Sequence, residues 1–332
     1  LLACEALCRF PSELNVQVTI NAIPRDGTPD AILKRAAALG ELWRLEMGQL
    51  LTHPELHDFD AIGVYLTGSK ISDFRQALGL LPSRERPLLF CGFNGVVLEK
   101  FMEGMSWRLG YDLICLSGPR DREALERMLE SSPFSGQRTV LTGLHRQTSS
   151  DQSQLSQEQR RKQLVFAEQV VMPSSPADRA EMVRILSDLA RRSPDWEVLI
   201  KPRIAPGETT FHSANEHIST TLQQALGHPP ENLRLDYRPL PDLLRQARLM
   251  ATVSSTAFFD ALDVGCRPLV MADFGINPAN GSHVFAGSGV WRCLDQVEDL
   301  DALDRSLPSP DPDWLAWMGY GTNLDPVELI EA

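Results

Sequence analysis

The feature that most constrains the fold is residues 251–271, where an apolar strand, a turn of three hydroxyl residues, a helix, a glycine and a second apolar strand follow one another. That order is typical of a parallel β-α-β unit. Ser254, Ser255 and Thr256 lie where the helix begins, so their hydroxyls and the first backbone N–H groups can converge on an anion. The positive end of the helix dipole favours the same ligand. The segment therefore predicts an α/β fold with a phosphate site at this turn.

A second candidate for anion binding lies upstream, where the short apolar strand Val-Leu-Ile ends in Lys201-Pro202-Arg203. Two cations at a strand end suit the opposite side of the same anion. Together with the hydroxyl turn they predict a nucleotide monophosphate or diphosphate site. Ordinary helix capping by the hydroxyls and a solvated pair of cations are the structural alternatives.

Composition restricts the possible ligands. The chain has 332 residues, is 43% hydrophobic and 23% charged, and has a formal net charge of -12. We expect two domains of ordinary size and no transmembrane helix. The negative charge argues against nucleic acid as a partner, so any anion site must be local. The six cysteines are scattered, which predicts reduced core thiols, no metal site and a cytoplasmic location.

Strand-like and helix-like segments alternate along the chain, which predicts two Rossmann-like domains in tandem. A polar segment at 147–163 separates the two series. We expect the first strand of the N-terminal domain to be missing, because a nucleotide-binding fold would place one before a predicted helix at 1–10. The predicted divisions are an N-terminal domain at 1–150, a linker at 151–163, a C-terminal domain at 164–310 and C-terminal helices at 311–332 that pack across both domains.

The predicted element bounds follow the periodicity of apolar residues. Predicted strands of the first series are 16–23, 61–66, 87–91, 113–116 and 139–142, with helices near 29–51, 72–80, 97–109 and 121–130. Predicted strands of the second series are 164–167, 197–200, 233–235, 249–253 and 268–271, with helices at 175–192, 215–226, 240–246 and one ending at 264.

Several familiar motifs are absent from the sequence. No GxGxxG fingerprint follows a strand, no GxxxxGK[ST] phosphate loop occurs, and no GxSxG elbow is present. Dehydrogenase, P-loop ATPase and α/β-hydrolase functions are therefore disfavoured.

The arrangement of the Lys-Pro cation motif and the Ser-Ser-Thr turn resembles that of glycosyltransferases with the two-domain GT-B fold. It most resembles the bacterial enzymes that use CMP-activated acidic sugars, the sialyltransferase and Kdo-transferase relatives, and an uncharacterised glycosyltransferase family. The strings that carry the likeness are Phe166-Ala-Glu-Gln169, Lys201-Pro-Arg203, Thr210-Phe-His212, Ser254-Ser-Thr-Ala257 and Gly95-Val-Val-Leu-Glu99 followed by Arg108 and Asp112. The likeness implies an α/β GT-B fold in which the domain at 1–150 binds the acceptor, the domain at 164–310 binds the nucleotide-sugar and the C-terminal helices cross back to the N-terminal domain.

The resemblance also implies roles for individual residues. Glycosyl transfer needs a carboxylate, either as base toward the acceptor hydroxyl or as nucleophile at the anomeric carbon. Glu168 is the candidate nucleophile of a retaining double displacement, Glu99 the candidate acid/base and His212 a candidate phosphate ligand or proton donor. Lys201, Arg203, Ser254, Ser255 and Thr256 would bind the nucleotide phosphate. Gly92, Asn94, Gly95 and Asp273 would contact acceptor or sugar.

The chain departs from the resemblance at one place. Sialyltransferase-type enzymes carry His-Pro where this chain has Lys201-Pro202-Arg203, so UDP or another nucleotide stays open as the donor. We expect a metal-independent cytoplasmic enzyme without a cofactor that transfers Kdo or a related sugar from CMP to a surface glycan, such as lipopolysaccharide or capsule. Peripheral association with membrane glycan-assembly machinery is compatible with this function. The alternatives are a nucleotide-sugar epimerase or hydrolase and a two-lobed ligand-binding protein.

Overall fold

The computed structural model describes residues 16–26, 28, 30–66, 68–80, 86–93, 100–144, 155–169, 172–204 and 216–322. Glu99, Asn94, Gly95, His212 and the predicted helix at 1–10 lie outside these described residues. The chain divides into two compact units, one formed by Leu1–His145 with Leu315–Ala332 and the other by Arg146–Trp314.

The first unit alternates short strands and helices. Its strands are β1 (Thr19–Asn21), β2 (Glu41–Trp43), β3 (Ala61–Val64), β4 (Leu88–Cys91), β5 (Leu113–Leu116) and β6 (Thr139–Leu141). Its helices are α1 (Asp30–Ala37), α2 (Met47–Leu51), α3 (Lys70–Gly79), α4 (Phe101–Ser106) and α5 (Pro119–Leu129). β1 pairs with β2, and β3, β4, β5 and β6 form a second sheet in that order, with every pair parallel.

The second unit is built on one larger sheet. Its strands are β7 (Arg161–Ala167), β8 (Glu197–Lys201), β9 (Leu233–Leu235), β10 (Ala247–Thr252), β11 (Arg267–Met271) and β12 (Trp291–Arg292). Its helices are α6 (Pro176–Arg192), α7 (Ile218–Leu226), α8 (Leu240–Leu244), α9 (Ala257–Asp263), α10 (Leu300–Ser306) and α11 (Pro312–Trp317), whose last residues belong to the first unit.

The topology of the second sheet identifies where a ligand would bind. Its strand order is β12-β11-β10-β7-β8-β9, and all pairs are parallel. From β7 the chain adds β8 and β9 on one side and then β10, β11 and β12 on the other. The order therefore reverses between β7 and β10, and ligands of open α/β sheets bind outside the carboxyl ends of the strands at such a switch point.

Continuous apolar runs explain why the central strands are recognisable in the sequence. Leu164, Val165 and Phe166 of β7 are at most 1% exposed, and Leu249 and Met250 of β10 are fully buried. Strands of a parallel sheet are covered on both faces, so alternation is replaced by unbroken hydrophobic stretches. The predicted strands 113–116 and 233–235 have the bounds that the structure shows.

The prediction of one helix over 29–51 is wrong. The structure has α1, then β2, then α2, and β2 pairs with β1 in parallel. Gly40 ends the first helical region at a point where an added Cβ would lie 1.9 Å from the carbonyl oxygen of Val18. A strand of three residues between two helices leaves too short a period-2 pattern to be detected.

None of the described helices has both the length and the apolar character that a membrane span requires.

Candidate functional site

The candidate site is the carboxyl edge of β7, β8 and β10, three neighbouring strands of the second unit. Thr252, the last residue of β10, donates a hydrogen bond of 3.2 Å from Oγ1 to the carbonyl of Ala167, the last residue of β7. On the other side of β7, the backbone N–H of Glu168 donates to the carbonyl of Lys201 at 3.1 Å. Three strands therefore end at one level and deliver their following loops to the same place.

Glu168 lies buried at the centre of this edge and is 7% exposed. Its Oε1 accepts a hydrogen bond of 2.8 Å from Nη2 of Arg179, and its Oε2 accepts one of 3.0 Å from the backbone N–H of Arg203. Each carboxylate oxygen thus has a protein partner. This geometry favours a positioning role for Glu168 over that of a carboxylate exposed to a sugar.

Arg179 reaches the edge from the first turn of α6. Ser175 caps this helix by accepting a hydrogen bond of 3.0 Å from the backbone N–H of Asp178, and Pro176 occupies its first turn. The Arg179 side chain is 3% exposed and donates from Nη1 to the carbonyl of Gln169 at 3.0 Å. A buried cation requires an anionic partner, so Arg179 and Glu168 depend on each other.

Gln169 is a site residue to which the sequence analysis assigned no role. Its Oε1 accepts a hydrogen bond of 2.9 Å from the backbone N–H of Ser254, and its Nε2 donates to the Ser254 hydroxyl at 3.3 Å. The amide side chain therefore fixes the hydroxyl turn that follows β10. The signal in the sequence was its place directly after Glu168 at the end of a predicted strand, but the partner is 85 residues away.

The hydroxyl turn satisfies much of its own backbone. The N–H of Ser255 donates to Oγ1 of Thr252 at 3.2 Å, and the N–H of Ala257 donates to the Ser255 hydroxyl at 3.2 Å. Ser254 is buried, Ser255 is half-buried and Thr256 is exposed. The first amides of α9 are thus already hydrogen-bonded, so an anion at this turn would meet mainly the accessible hydroxyls of Ser255 and Thr256.

Two cations lie at the end of β8 at the same edge, with Lys201 as its last residue and Arg203 just beyond it. Lys201 is half-buried, and its Nζ donates to the carbonyl of Pro202 at 2.6 Å. Arg203 has an exposed side chain, while its backbone is held by Glu168. The fixed backbone brings the accessible guanidinium within electrostatic reach of Asp260 in α9, the helix that follows the hydroxyl turn.

Asp260 of α9 is a second residue that sequence reasoning missed. Asp260 is exposed, yet partial desolvation of its carboxylate raises the pKa to about 6. The nearby Asp263 raises this pKa further, and the positive charge of Arg203 opposes the rise. Asp260 thus lies within electrostatic reach of Arg203. Its helical position gave no signal, because an Asp in a first turn is also a common dipole partner.

Asp273 follows β11 and has local backbone partners. Its Oδ2 accepts from the N–H of Leu294 and its Oδ1 from the N–H of Asp295, each at 2.9 Å. Burial raises the pKa of Asp273, and these two hydrogen bonds oppose the rise. The carboxylate therefore caps the short helical turn Leu294–Gln296, and its predicted contact with the sugar stays a prediction.

Gly92 belongs to the first unit, at the exit of β4. An added Cβ there would lie 2.7 Å from Cε1 of Tyr65, and the Gly92 carbonyl accepts a hydrogen bond of 3.1 Å from Nε of Arg108. Arg108 also donates to the Leu66 carbonyl at 3.3 Å and lies 3.7 Å above the ring of Phe93. Arg108 thus ties the exits of β3 and β4 together, and close packing explains the glycine.

Of the predicted site residues, the structure brings Glu168, Lys201, Arg203 and the hydroxyl turn to one edge of the second sheet. Asp273 follows the neighbouring strand β11, and Gly92 lies in the other unit.

The sequence profile of the family described as "Putative glycosyltransferase (DUF6716)" matches residues 2–326, which is almost the whole chain. The chain belongs to this glycosyltransferase family. No protein of curated function matches the sequence of this glycosyltransferase.

Solved structures confirm the GT-B fold of two Rossmann-like domains that the sequence predicted. A putative UDP-N-acetylglucosamine 2-epimerase from Listeria monocytogenes superposes with a TM-score of 0.55 at 15% identity, covering 95% of this glycosyltransferase and 89% of that protein. UGT89C1 of Arabidopsis thaliana gives a TM-score of 0.52 at 11% identity and covers 96% and 87% of the two chains. At such identities the likeness extends to the fold alone.

Proposed function

We propose that the protein transfers a sugar from a nucleotide donor whose phosphate groups bind at the carboxyl edge of β7, β8 and β10. The observation that supports this most directly is the continuous network from Arg203 through Glu168, Arg179 and Gln169 to Ser254. The network holds cations and hydroxyls beside a topological switch point, where open α/β sheets bind their ligands.

The proposed roles follow from accessibility. Lys201 and Arg203 neutralise the phosphate charge, and the hydroxyls of Ser255 and Thr256 donate hydrogen bonds to its oxygens. When the glycosidic bond breaks, negative charge grows on the departing nucleotide, so fixed cations accelerate the reaction by binding this state more tightly than the ground state. Asp260 adjusts the local charge through its interaction with Arg203.

Glu168 takes a positioning role in this proposal. A nucleophilic carboxylate must present an oxygen to the anomeric carbon, whereas both oxygens of Glu168 accept hydrogen bonds from protein groups. Glu99 as acid/base and His212 as a phosphate ligand remain predictions on residues outside the described ranges.

A UDP-sugar is our first candidate for the donor, because the Listeria protein of similar fold is named for one. CMP-Kdo is the second, because the layout of the Lys201-Pro202 motif and the Ser254-Ser-Thr turn resembles that of CMP-sugar enzymes. A UDP-sugar presents a diphosphate and CMP-Kdo a phosphate plus a carboxylate, so two cations match the charge of either. The acceptor in this proposal is a surface glycan, reached from the cytoplasm with peripheral association at the membrane.

Calorimetric titration with UDP, CMP, GDP and ADP tests the proposal. We expect one pyrimidine nucleotide to bind, and Lys201→Ala to weaken it about tenfold or more, the usual loss for a charge-assisted hydrogen bond. Lys34→Ala, an exposed lysine of α1, serves as the control and should bind like the wild type. Absence of binding to all four nucleotides would overturn the proposal.

An epimerase is the second candidate function, favoured by the fold shared with the putative UDP-N-acetylglucosamine 2-epimerase. Product analysis separates the two. Conversion or release of the sugar without any acceptor supports the epimerase, whereas product formation that requires an added glycan supports the transferase.

A further inference from the structure

His217 connects the start of a helix to the loop that carries Arg203. It is half-buried and lies at the N-cap of α7. Its Nε2 lies 3.1 Å from the carbonyl oxygen of Ile204, a residue 13 positions earlier in the chain. Because Ile204 directly follows Arg203, this one side chain reaches the backbone next to the exposed cation of the proposed nucleotide site.

The partners of His217 determine which ring nitrogen carries the proton. The backbone N–H of Ser219 can only donate, and it lies 3.1 Å from Nδ1, so Nδ1 is an acceptor. The Ser219 hydroxyl lies 2.7 Å from the same nitrogen and donates to it as well. The Ile204 carbonyl can only accept, so Nε2 carries the proton and donates. Both nitrogens of a neutral imidazole are thus engaged with protein groups, and neither is directed at a ligand.

The plane of the imidazole is also fixed. Tyr237, two residues beyond the end of β9, stacks on the His217 ring with centroids 6.2 Å apart and planes 12° apart. Stacking of aromatic rings at such a distance is favourable. The imidazole therefore cannot turn away from the Ile204 carbonyl without losing the Tyr237 contact and the helix cap as well.

The backbone around Arg203 is held on both sides. The N–H of Arg203 donates to Oε2 of Glu168 at 3.0 Å, and the carbonyl of the next residue accepts from His217. Glu168 directly follows β7 and His217 precedes α7, so the two anchors belong to different elements. A guanidinium on a backbone anchored twice loses less conformational freedom on binding an anion than one on a loop anchored once.

We propose that His217 is a positioning residue of the nucleotide site. It acts through Ile204 on Arg203, the residue that meets the donor phosphate, and it touches no substrate itself. This inference rests on the proposed binding of nucleotide by Arg203. The affinity for the nucleotide then depends on the hydrogen bond that His217 donates to a backbone carbonyl.

Two substitutions separate the bond to Ile204 from the cap of α7. The amide oxygen of asparagine lies as many bonds from Cα as Nδ1 of histidine does. His217→Asn therefore keeps an acceptor for the Ser219 N–H, and asparagine is among the best N-cap residues, but its amide is too short to reach the Ile204 carbonyl. The amide nitrogen of glutamine lies as many bonds from Cα as Nε2, so His217→Gln keeps the donor to Ile204 and loses the cap. His228→Asn, at an exposed histidine beyond the end of α7, is the matched control.

Calorimetric titration with UDP and CMP measures the affinity, and amide hydrogen exchange at Ser219 reports whether the helix cap is intact. We expect His217→Asn to bind the nucleotide about three- to tenfold more weakly than the wild type, the range for loss of one neutral hydrogen bond, with exchange at Ser219 unchanged. His217→Gln should bind like the wild type although Ser219 exchanges faster. His228→Asn should match the wild type in both measurements.

A double-mutant cycle shows whether His217 acts through Arg203. Arg203→Ala retains Lys201 and the hydroxyl turn, so weakened binding stays measurable. In that background His217→Asn should cause no further loss of affinity.

Three outcomes would overturn the inference about His217 alone. They are wild-type affinity in His217→Asn, a loss of affinity in His217→Gln that accompanies the faster exchange at Ser219, and additive losses in the cycle with Arg203→Ala. A wild-type protein that binds neither UDP nor CMP would instead overturn the proposed nucleotide site, and this inference with it.

Discussion

The backbone N–H of Arg203 donates a hydrogen bond of 3.0 Å to the carboxylate of Glu168. A buried acid at the end of one strand thereby fixes the loop that carries an exposed cation at the end of the next. The other oxygen of the same carboxylate binds Arg179, so the position of the Arg203 loop depends on an ion pair that is shielded from water.

Removal of this acid should cost much stability. Glu168→Ala leaves the Arg179 guanidinium buried without its anionic partner, and we expect a loss of about 3–5 kcal/mol in the free energy of unfolding. Urea denaturation measures it. Glu181→Ala is the control. Glu181 pairs with Arg184 on α6, the helix that carries Arg179, but this ion pair is exposed to solvent, where such pairs contribute less than about 1 kcal/mol. Equal losses in the two variants would contradict the buried role.

Gln169 should control the order of the hydroxyl turn. Gln169→Ala removes the acceptor of the Ser254 N–H, and an unsatisfied buried donor costs about 1–3 kcal/mol. Gln169→Glu keeps an acceptor for that N–H and should lose less. Amide hydrogen exchange at residues 254–257 is the measurement, with faster exchange expected in Gln169→Ala. Unchanged exchange in this variant would show that other contacts hold the turn.

The raised pKa of Asp260 predicts how the stability of the protein depends on pH. Its folded pKa is raised to about 6 from about 3.9, the usual value for an aspartate, so the folded state holds the proton more tightly than the unfolded state. The free energy of unfolding therefore falls as pH rises from about 4 through 6 and then levels off. In Asp260→Asn, this contribution to the fall in the free energy of unfolding should be absent.

Thermal denaturation at pH 4 and pH 8 tests the prediction for Asp260. The melting temperature of Asp260→Asn relative to the wild type should be higher at pH 8 than at pH 4. Asp263→Asn removes the neighbouring like charge and should lower the pKa of Asp260. The pH-dependent loss of stability should then occur at lower pH than in the wild type. A relative melting temperature that does not change with pH would contradict the raised pKa.

The sequence predicted the central strands of the second sheet well because these strands are buried on both faces, whereas the short edge strand β12 was missed. β9 has the predicted bounds, and β7, β8, β10 and β11 differ from them by at most three residues. In the first unit β2 was missed, because its pairing with β1 is a tertiary contact that a three-residue pattern does not encode.

The site was predictable in part for a related reason. The sequence makes Lys201, Arg203 and the hydroxyls recognisable, because they are charged or polar residues at the ends of apolar runs. The roles of Gln169 and Arg179 are not recognisable in this way. They arise from the adjacency of β7 and β10 and from the place where α6 begins. Such relationships depend on strand order, which a single sequence does not contain.

The last prediction concerns Gly319, which lies in the C-terminal segment that packs on the exits of β5 and β6. Gly319 has a φ of +85°, and a Cβ there would lie 1.8 Å from the Ser117 carbonyl oxygen. Gly319→Ala combines left-handed strain with a backbone clash, so we expect a loss of at least about 2 kcal/mol in unfolding free energy. Gly136→Ala, where an added Cβ meets no atom within 4 Å, should leave stability within about 0.5 kcal/mol of the wild type. Limited proteolysis should cut the chain after residue 314 faster in Gly319→Ala than in Gly136→Ala, and equal rates would show that the segment is not held by this contact.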